Sequence, residues 1–249
     1  MLDDLSELIT FERSEIHYQL PPPDANNPRS GIAVRAGHIP VLFTAPHGCK
    51  HRRSDRWKQE DEYTSAIAEW LHRLTNAHTI YITHRIDPDP HDDESGNIFK
   101  QVIAEHVENH HVKLVIDLHG SMGTRNFGIS LGTMNGITCP AYEPVIIRQF
   151  EKAGFCIDDN LPRLDRLVIN HPLYTGGLRM PTITRFVYQE LHLPAIQVEI
   201  NAWLRLLQRL PHSTSALRNH EPDFQGDHER FRRMMSAFVD VVNYFAETQ

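Results

Sequence analysis

The sequence predicts an α/β fold with a mostly parallel or mixed central sheet and helices on both faces. Short apolar runs of strand length alternate along the 249 residues with segments whose apolar residues repeat at helical spacing. Strands that are joined through helices form crossover units, and such units place neighbouring strands parallel to one another. The apolar runs are residues 40–45, 79–83, 112–118, 127–132 and 195–200.

Three longer segments show helical periodicity. Residues 67–74 and 96–110 repeat apolar side chains every three or four positions, as amphipathic helices packed on a sheet do. Residues 226–246 show the same spacing and predict an amphipathic C-terminal helix. Its apolar face carries Phe231, Met234, Met235, Phe238, Val242 and Phe245.

The chain predicts a single domain that spans residues 1–249. Its length fits one large α/β domain, and no stretch has the composition of a linker or of an internal repeat. The region 1–36 predicts a peripheral N-terminal hairpin with strands at 15–20 and 31–36. The loop between them, 20–30, is rich in proline and asparagine, which favour turns.

Composition and charge argue against several classes of partner. The net charge is −7 and lysine and arginine do not cluster, so no nucleic-acid surface is expected. The apolar runs are far shorter than the roughly 20 residues of a membrane helix, so no membrane partner is expected. The sequence opens without a signal-peptide pattern. Its three cysteines lack the spacing of a disulfide framework, so we expect a protein of the reducing cytoplasm. The oligomeric state is not fixed by these features, and a homo-oligomer stays open.

Polar side chains follow or end three of the predicted strands. His47 follows the first strand in the sequence APHG, His119 ends another in DLHG, and Glu199 lies in QVEIN. Functional groups gather at the carboxyl ends of strands in such sheets, so we expect these three side chains to lie close together. In both His-Gly pairs, we expect the glycine to let the chain turn sharply while the imidazole stays exposed.

Two imidazoles at strand ends predict a catalytic zinc site if an acidic residue supplies a third ligand and one position stays open. Either histidine alone is more often an ordinary loop residue, so the prediction rests on their joint placement. The acidic run 60–62 opens a helix, where negative charge also complements the helix dipole. Asp61 is the favoured third ligand and Glu60 the second choice, while His51 and Cys49 compete as good zinc ligands.

Glu199 is the residue that we predict to transfer protons. A carboxylate in an apolar strand is costly unless it is paired, protonated or functional. Opposite a zinc-activated water, it would act as the general base that takes the water proton and returns it to the leaving amine. The alternative is a strand-end carboxylate that reaches solvent or pairs with an arginine.

Seven segments occur in the order seen in N-formylglutamate amidohydrolases. The sequence therefore resembles that family and, more widely, the zinc carboxypeptidases and aspartoacylases, from about residue 40 to 205. The segments are APHG at 45–48, EDEYT at 60–64, DLHG at 117–120, RNFGISLGTMNG at 125–136, HPLYTGG at 171–177, ITR at 183–185 and LPAIQVEIN at 193–201.

The resemblance implies a phosphorylase/hydrolase-like fold of the zinc carboxypeptidase type and a zinc-dependent amidohydrolase. By this resemblance His47, Asp61 and His119 look like the Zn²⁺ ligands, and Glu199 looks like the catalytic glutamate. Arginine is suited to bidentate binding of a substrate carboxylate. The substrate-binding candidates are Arg125, Arg185, Arg85, His171 and Gly177.

One stretch departs from the family pattern. Members commonly carry Arg-x-x-x-Asp-x-Asn-Arg after the second strand. Here Arg85 and Asp89 match its start, but His91 and Asp92 replace the Asn-Arg end. We therefore predict hydrolysis of an amide bond in a small, anionic, N-formylglutamate-like N-acyl amino acid, without fixing the acyl group. The alternatives are a carboxypeptidase-like amidase acting on peptides or cell-wall fragments, and a non-catalytic relative that binds a metal or metabolite.

Overall fold

The computed structural model describes residues 5–93, 96–211 and 225–247. It contains a seven-stranded mixed sheet and a separate two-stranded hairpin. The strands of the large sheet are β1 Ile32–Arg35, β2 Ile39–Ala45, β5 Ala77–Ile82, β6 Leu114–Ser121, β7 Ile129–Gly132, β8 Leu167–Ile169 and β9 Ala195–Asn201, and the hairpin consists of β3 His51–Arg53 and β4 Arg56–Lys58.

The strand order in the large sheet is β1-β5-β2-β6-β9-β7-β8. Strands β5, β2, β6 and β9 run parallel to one another, whereas β1 pairs antiparallel with β5 and β7 pairs antiparallel with β9. The four parallel strands are buried along almost their whole length, as strands covered on both faces are. This burial explains why they are continuous apolar runs in the sequence.

Helices connect the strands and cover the sheet. Within the described ranges, no helix is long and apolar enough to cross a membrane. The helices are α1 Ser6–Glu15, α2 Thr64–Thr75, α3 Ile98–Asn109, α4 Glu143–Lys152, α5 Ile183–Glu190, α6 Ala202–Arg205 and α7 His228–Glu247.

The two faces of the sheet are covered by different helices. Phe43 of β2 packs against Phe238 of α7, with ring centroids 5.9 Å apart, and α2 contacts both β2 and α7. The side chain of Thr44, the next residue of β2, points to the opposite face of the sheet, because successive side chains alternate along a strand. On that face, α5 packs against β6 and β9. The predicted mixed sheet with helices on both faces is therefore confirmed.

The predicted N-terminal hairpin is wrong. Residues 6–15 form α1, and β1 pairs antiparallel with β5 instead of with residues 15–20. His17 forms an isolated bridge with His84. The physical reason is the edge of β5, whose backbone donors and acceptors require a partner that β1 supplies. The apolar pattern of residues 31–36 indicates a strand, but it carries no information on which strand is its partner.

A buried carboxyl group joins α1 to the turn that begins α2. Glu12 is completely buried, and its Oε1 accepts hydrogen bonds from the Tyr18 hydroxyl and, at 2.6 Å, from the backbone N–H of Tyr63. Tyr63 has φ 66°, in the left-handed region that bulky residues rarely adopt. Burial raises the pKa of Glu12 to about 7, although the hydrogen bond from Tyr18 acts in the opposite direction. Folding therefore favours the protonated form of Glu12.

This raised pKa predicts that the protein loses stability as the pH rises. The contribution of Glu12 is fully present below its ordinary pKa of 4.5 and is lost as the pH rises through about 7. Over this pH range, the ionisation of Glu12 should lower the free energy of unfolding by about 3 kcal/mol. Glu12→Gln, which stays neutral, should flatten this fall when urea unfolding is measured between about pH 5 and 8.

Glu7→Gln is the matched control, because Glu7 lies on the same helix and is exposed. It should leave the pH dependence of the wild-type protein unchanged. A Glu12→Gln protein with the full wild-type dependence would show that Glu12 ionises normally in the folded state.

Candidate metal centre

Three of the predicted site residues meet at the carboxyl ends of the central strands. His47 follows β2 by two residues, His119 lies in β6 and Glu199 lies in β9. His119 and Glu199 are in register on neighbouring strands, so their side chains leave the same face of the sheet. All three residues are at most 5% exposed.

Asp61 reaches the two histidines from outside the sheet. After His47 the chain forms the β3–β4 hairpin and returns, and the N–H of Asp61 donates to the carbonyl of His47 at 2.7 Å. Oδ2 of Asp61 lies 3.9 Å from Nδ1 of His47 and 3.5 Å from Nδ1 of His119. One carboxylate oxygen therefore faces the same nitrogen of both rings.

The other nitrogen of each ring is held by a buried carboxylate. Nε2 of His47 lies 2.8 Å from Oδ1 of Asp89, and Nε2 of His119 lies 2.9 Å from Oδ2 of Asp117. An ionised carboxylate accepts hydrogen bonds only, so in the neutral form of each histidine, which is the form that binds a metal, the aspartate holds the proton on Nε2. Nδ1 of both histidines is then a lone-pair donor on the side of Asp61, which is how carboxylates orient metal-binding imidazoles.

The two supporting carboxylates have polar partners of their own. Oδ1 of Asp117 accepts a hydrogen bond from the Thr44 hydroxyl at 2.8 Å. Asp89 accepts from Nε of Arg53 at 2.5 Å and from the backbone N–H of His91 at 2.9 Å. Both aspartates are completely buried, and a buried charge is stable only when it is paired and hydrogen-bonded.

Two further histidines enlarge the cluster. His51 stacks on His47 with ring centroids 3.8 Å apart and an interplanar angle of 13°. The ring of His91 lies 4.4 Å from that of His47 and 4.9 Å from that of His119. Among the described residues, possible ligand atoms lie within 4.8 Å of one another in two groups, His47–His91–His119 and His47–His51–Asp89. The cluster can therefore hold a metal ion.

The surrounding charges determine the protonation of the cluster. Burial alone would raise the pKa of Asp61, but the hydrogen bond to His119 and the charge of His47 lower it to about 2. Burial would lower the pKa of His119, yet Asp117 and Asp61 raise it well above its usual value. Burial and the charge of His47 hold the pKa of His91 well below its usual value. The position between Asp61 and Asp117 thus attracts positive charge, for which a proton and a metal ion would compete.

Glu199 is a buried carboxyl group with a shifted pKa. Its Oε1 accepts a hydrogen bond from Nε2 of Gln197 at 3.1 Å. Burial raises the pKa of Glu199 to about 8, while the charge of His119 opposes the rise and that of Asp61 adds to it. A cation bound nearby would lower this pKa, because positive charge favours the carboxylate. A carboxyl group that titrates near neutrality is suited to take up and return a proton.

The cluster opens into a cavity of about 500 Å³. This volume falls within the range of sites that bind small molecules. One wall comes from the β3–β4 hairpin and another from the segment 173–182. The charged, aromatic and glycine residues of its lining include His47, His51, His91, His119, Asp61, Glu199, Arg53, Lys58, Arg125, Arg179, Tyr174, Gly176 and Gly177.

The structure brings two of the predicted substrate-binding residues to this cavity. Arg125 and Gly177 line it. Nε of Arg125 donates to the Tyr174 hydroxyl at 2.9 Å, and the guanidinium lies 5.5 Å from the centre of the Tyr174 ring. Gly177 has φ 136°, and a Cβ there would lie 2.6 Å from Cβ of Arg185, so the backbone conformation and the close approach both require glycine.

The other three predicted substrate-binding residues lie outside the cavity. Nε of Arg185 donates to Gln189 one helical turn further along α5, and Arg185 lines a different cavity. The guanidinium of Arg85 lies 5.1 Å from the centre of the Trp57 ring. His171 accepts a hydrogen bond on Nδ1 from the backbone of its own loop and does not line the cavity. Their segments lie near the site, but these side chains point elsewhere.

Of the alternative third ligands, His51 lies in the cluster against His47, whereas Glu60 and Cys49 are separated from it. Glu60 and Cys49 are buried, and neither lines the cavity. Sγ of Cys49 lies 3.9 Å from the carbonyl oxygen of Ile82, on the neighbouring strand. Of the residues weighed as the acidic ligand, Asp61 is the one whose carboxylate faces both imidazoles.

Sequence reasoning did not select several residues that the structure brings to the site. Tyr174, Lys58 and Arg179 line the cavity, and Asp89 holds His47. Asp89 could have been selected from the sequence, because it follows the carboxyl end of β5 within a stretch that matches the family pattern. Lys58 ends the exposed strand β4 and Arg179 lies in a loop, and no hydrophobic pattern predicts the direction of a side chain in either place.

The glycines of the two His-Gly pairs serve close packing instead of a sharp turn. Neither Gly48 nor Gly120 has a left-handed φ. A Cβ on Gly48 would lie 1.9 Å from Oγ of Ser65, and a Cβ on Gly120 would lie 2.5 Å from the guanidinium carbon of Arg205. The expected exposure of the histidines is also wrong, because both imidazoles are buried. Glycine lets α2 and Arg205 lie directly against the backbone that carries them.

The fold is shared with solved structures of low sequence identity. N-formylglutamate amidohydrolase from Ralstonia eutropha JMP134 is 13% identical, with 88% of this chain and 99% of that chain covered and a TM-score of 0.56. A bacteriophage poly-γ-glutamate hydrolase is 13% identical, with 88% of this chain and 90% of that chain covered and a TM-score of 0.51. A gene product of Agrobacterium tumefaciens is 13% identical, with 88% of this chain and 95% of that chain covered and a TM-score of 0.52.

These similarities confirm, at the level of the fold, the resemblance to N-formylglutamate amidohydrolases that the sequence predicted. The sequence itself matches no family model and no curated protein. The chain therefore has the fold of this amidohydrolase, and a cluster that can hold a metal lies at the carboxyl ends of its central strands.

The packing of Gly48 predicts a large cost for adding a single methyl group. Gly48→Ala places Cβ 1.9 Å from Oγ and 2.9 Å from Cβ of Ser65, so α2 or the strand end must shift. Overpacking of this kind costs about 1–3 kcal/mol. Urea unfolding of the variant should show a loss of stability of that order.

The control is the same substitution in a Ser65→Ala background, where the nearest atom is absent. Gly48→Ala should cost less there than in the wild-type protein, giving a coupling between the two sites. Strictly additive effects would show that Ser65 is not the obstacle.

Proposed function

We propose that this protein is a zinc-dependent amidohydrolase that cleaves the amide bond of a small, carboxylate-bearing N-acyl amino acid. His47, Asp61 and His119 would hold the ion. Two imidazoles and one carboxylate form a donor set that suits Zn²⁺ and leaves a coordination position open for catalysis. When bound, the ion would polarise the scissile carbonyl and make an attacking water more acidic.

The choice of Asp61 over His91 as the third ligand is supported by the orientation of the rings. Asp89 and Asp117 accept at Nε2 of His47 and His119, so the nitrogens available in both rings are the Nδ1 atoms. Oδ2 of Asp61 faces both of these nitrogens. Nε2 of His91 instead lies 4.0 Å from Oδ2 of Asp117, on the Nε2 side of His119.

Glu199 would carry the proton in this reaction. It is in register with His119 on the adjacent strand and lines the same cavity. Its carboxylate would accept a proton from the attacking water and deliver it to the nitrogen of the leaving amine. Gln197 donates to Oε1 of Glu199, which restricts the rotation of the carboxylate and leaves Oε2 for the transfer.

Arg125 would bind the carboxylate of the substrate. Its Nε is held by the Tyr174 hydroxyl, so the guanidinium is ordered before substrate arrives, and its terminal N–H groups suit bidentate binding of a carboxylate. Two proteins of the same fold carry names that refer to N-formylglutamate and poly-γ-glutamate. An anionic substrate is consistent with both.

The observation that carries this proposal is the joint placement of the two Nδ1 atoms, Asp61 and Glu199. Dialysis of the purified protein against zinc, followed by metal analysis, should give about one ion per chain. His47→Ala and His119→Ala should lose it. Asp61→Asn should weaken zinc binding more than Glu60→Gln, because Glu60 lies outside the cluster.

His91→Ala separates the two possible ligand sets. With Asp61 as the third ligand, this variant should keep one zinc per chain. Loss of zinc in His91→Ala together with full occupancy in Asp61→Asn would assign the site to the three histidines instead.

Glu199→Gln tests catalysis separately from binding. The substitution keeps the shape of the side chain but removes its capacity to accept a proton. Zinc content and melting temperature should stay near the wild-type values, and kcat should fall by roughly 10²–10⁴-fold. The matched control is Glu190→Gln, which makes the same change at an exposed residue of α5 outside this cavity and should leave kcat unchanged.

Three outcomes distinguish the roles of Glu199. Lost zinc would make it a ligand, and lost stability with activity proportional to folded protein would make it structural. Normal turnover in a stable, zinc-loaded Glu199→Gln protein would exclude it as the general base. A protein that binds zinc but releases no amine from any N-acyl amino acid would be a binding protein and not an enzyme.

A further inference from the structure

Among the described residues that line the cavity, lysine and arginine outnumber aspartate and glutamate. Its lining contains the cations Arg53, Lys58, Arg125 and Arg179. Among the described lining residues, the acidic ones are Asp61 and Glu199, both at the metal centre. This excess of cations contrasts with the whole chain, where 32 acidic residues outnumber 25 lysines and arginines. Local charge of one sign in a cleft concentrates ligands of the opposite sign.

Among the residues that the structure describes, three of these cations have no carboxylate partner. Nε of Arg125 donates to the Tyr174 hydroxyl and Nη1 of Arg179 to the carbonyl of Pro172. Neither they nor Lys58 lies within 4.0 Å of a carboxylate oxygen of any described residue. Arg53 differs, because it is paired with Asp89.

The unpaired cations flank the metal centre on two sides. Lys58 ends the hairpin that follows β2, whereas Arg125 precedes β7 and Arg179 follows β8. In the sheet, the strands that carry His119 and Glu199 lie between β2 and β7. One cation is therefore on the β2 side of the reacting groups, and two are on the β7 side.

We infer that the substrate carries a carboxylate on each side of the scissile amide bond, one on the amino acid and one at the far end of the acyl chain. This inference rests on the proposed amidohydrolase function. Glu199 must reach the leaving nitrogen and lies next to β7, so the amino acid binds on the side of Arg125 and Arg179. The acyl chain then extends toward Lys58.

The size of the cavity agrees with a substrate that has a long acyl group. About 500 Å³ exceeds what a formyl group on one amino acid would fill, since cavities of this volume hold drug-sized molecules. Lys58 is exposed at the end of its hairpin, and its flexible side chain can meet a carboxylate at a range of distances.

Two synthetic substrates test the inference. One is L-glutamate acylated with a five-carbon dicarboxylic chain, and the other is the same molecule with its distal carboxylate converted to a primary amide. The two have the same shape and differ by one charge. The wild-type protein should release glutamate from the first with a kcat/KM at least about tenfold higher, the usual effect of one charge-assisted hydrogen bond.

Lys58→Met should reduce this preference to near one. Lys152→Met is the matched control, because Lys152 is exposed at the end of α4 and does not line the cavity, and it should keep the wild-type preference. Equal kcat/KM values for the two substrates, or a preference that survives Lys58→Met, would overturn the inference. Chelator-sensitive release of glutamate from the primary-amide substrate would meanwhile leave the amidohydrolase function standing.

Binding provides a second measurement that does not depend on turnover. The Kd of each compound is measured by calorimetry on the zinc-loaded Glu199→Gln protein, with and without Lys58→Met. Tighter binding of the compound with the distal carboxylate that disappears with Lys58→Met supports the inference, and equal Kd values contradict it. This readout decides the question even if neither compound is hydrolysed, which would count against the proposed function alone.

Discussion

Two buried carboxylates, Asp89 and Asp117, control the orientation of the histidines at the centre of this protein. Each holds Nε2 of one histidine, so that both Nδ1 atoms converge on Asp61. An isolated ionised carboxylate in the protein interior is strongly unfavourable, and both are stabilised by hydrogen bonds from other parts of the fold. Without them, either imidazole would be free to rotate or to exchange its tautomer.

Besides these aspartates, one buried arginine holds the segments around the site together. Arg205 donates to the carbonyl oxygens of Glu62, Ser121 and Ile200. It thereby joins the turn after Asp61 to the ends of β6 and β9, which carry His119 and Glu199. Gly120 gives its guanidinium room to lie against the strand. Rigid support of this kind keeps functional groups within the narrow tolerances that binding and catalysis require.

The parts of this arrangement that depend on burial could be predicted from the sequence. The central parallel strands are mostly apolar, so their ends, and hence the positions of His47, His119 and Glu199, were located correctly. The direction of a polar side chain outside these buried strands has no such pattern. Arg185 was therefore predicted at the substrate although it lies along α5, and Lys58 and Arg179 were not selected. The role of Gly48 depends on its distance from Ser65, which is 17 positions away in the sequence and becomes a neighbour only in three dimensions.

The β3–β4 hairpin shows how such a protein could change its specificity. It lies outside the seven-stranded sheet, and its exposed strand β4 contributes no residue to the buried core. It nevertheless supplies one wall of the cavity, between His47 and Asp61 in the sequence. Substitutions in β4 therefore escape most of the stability cost that core changes carry. Selection can therefore remodel the wall of the cavity that carries Lys58 while His119 and Glu199 stay as they are, so β4 is a part of the site that is open to evolutionary change.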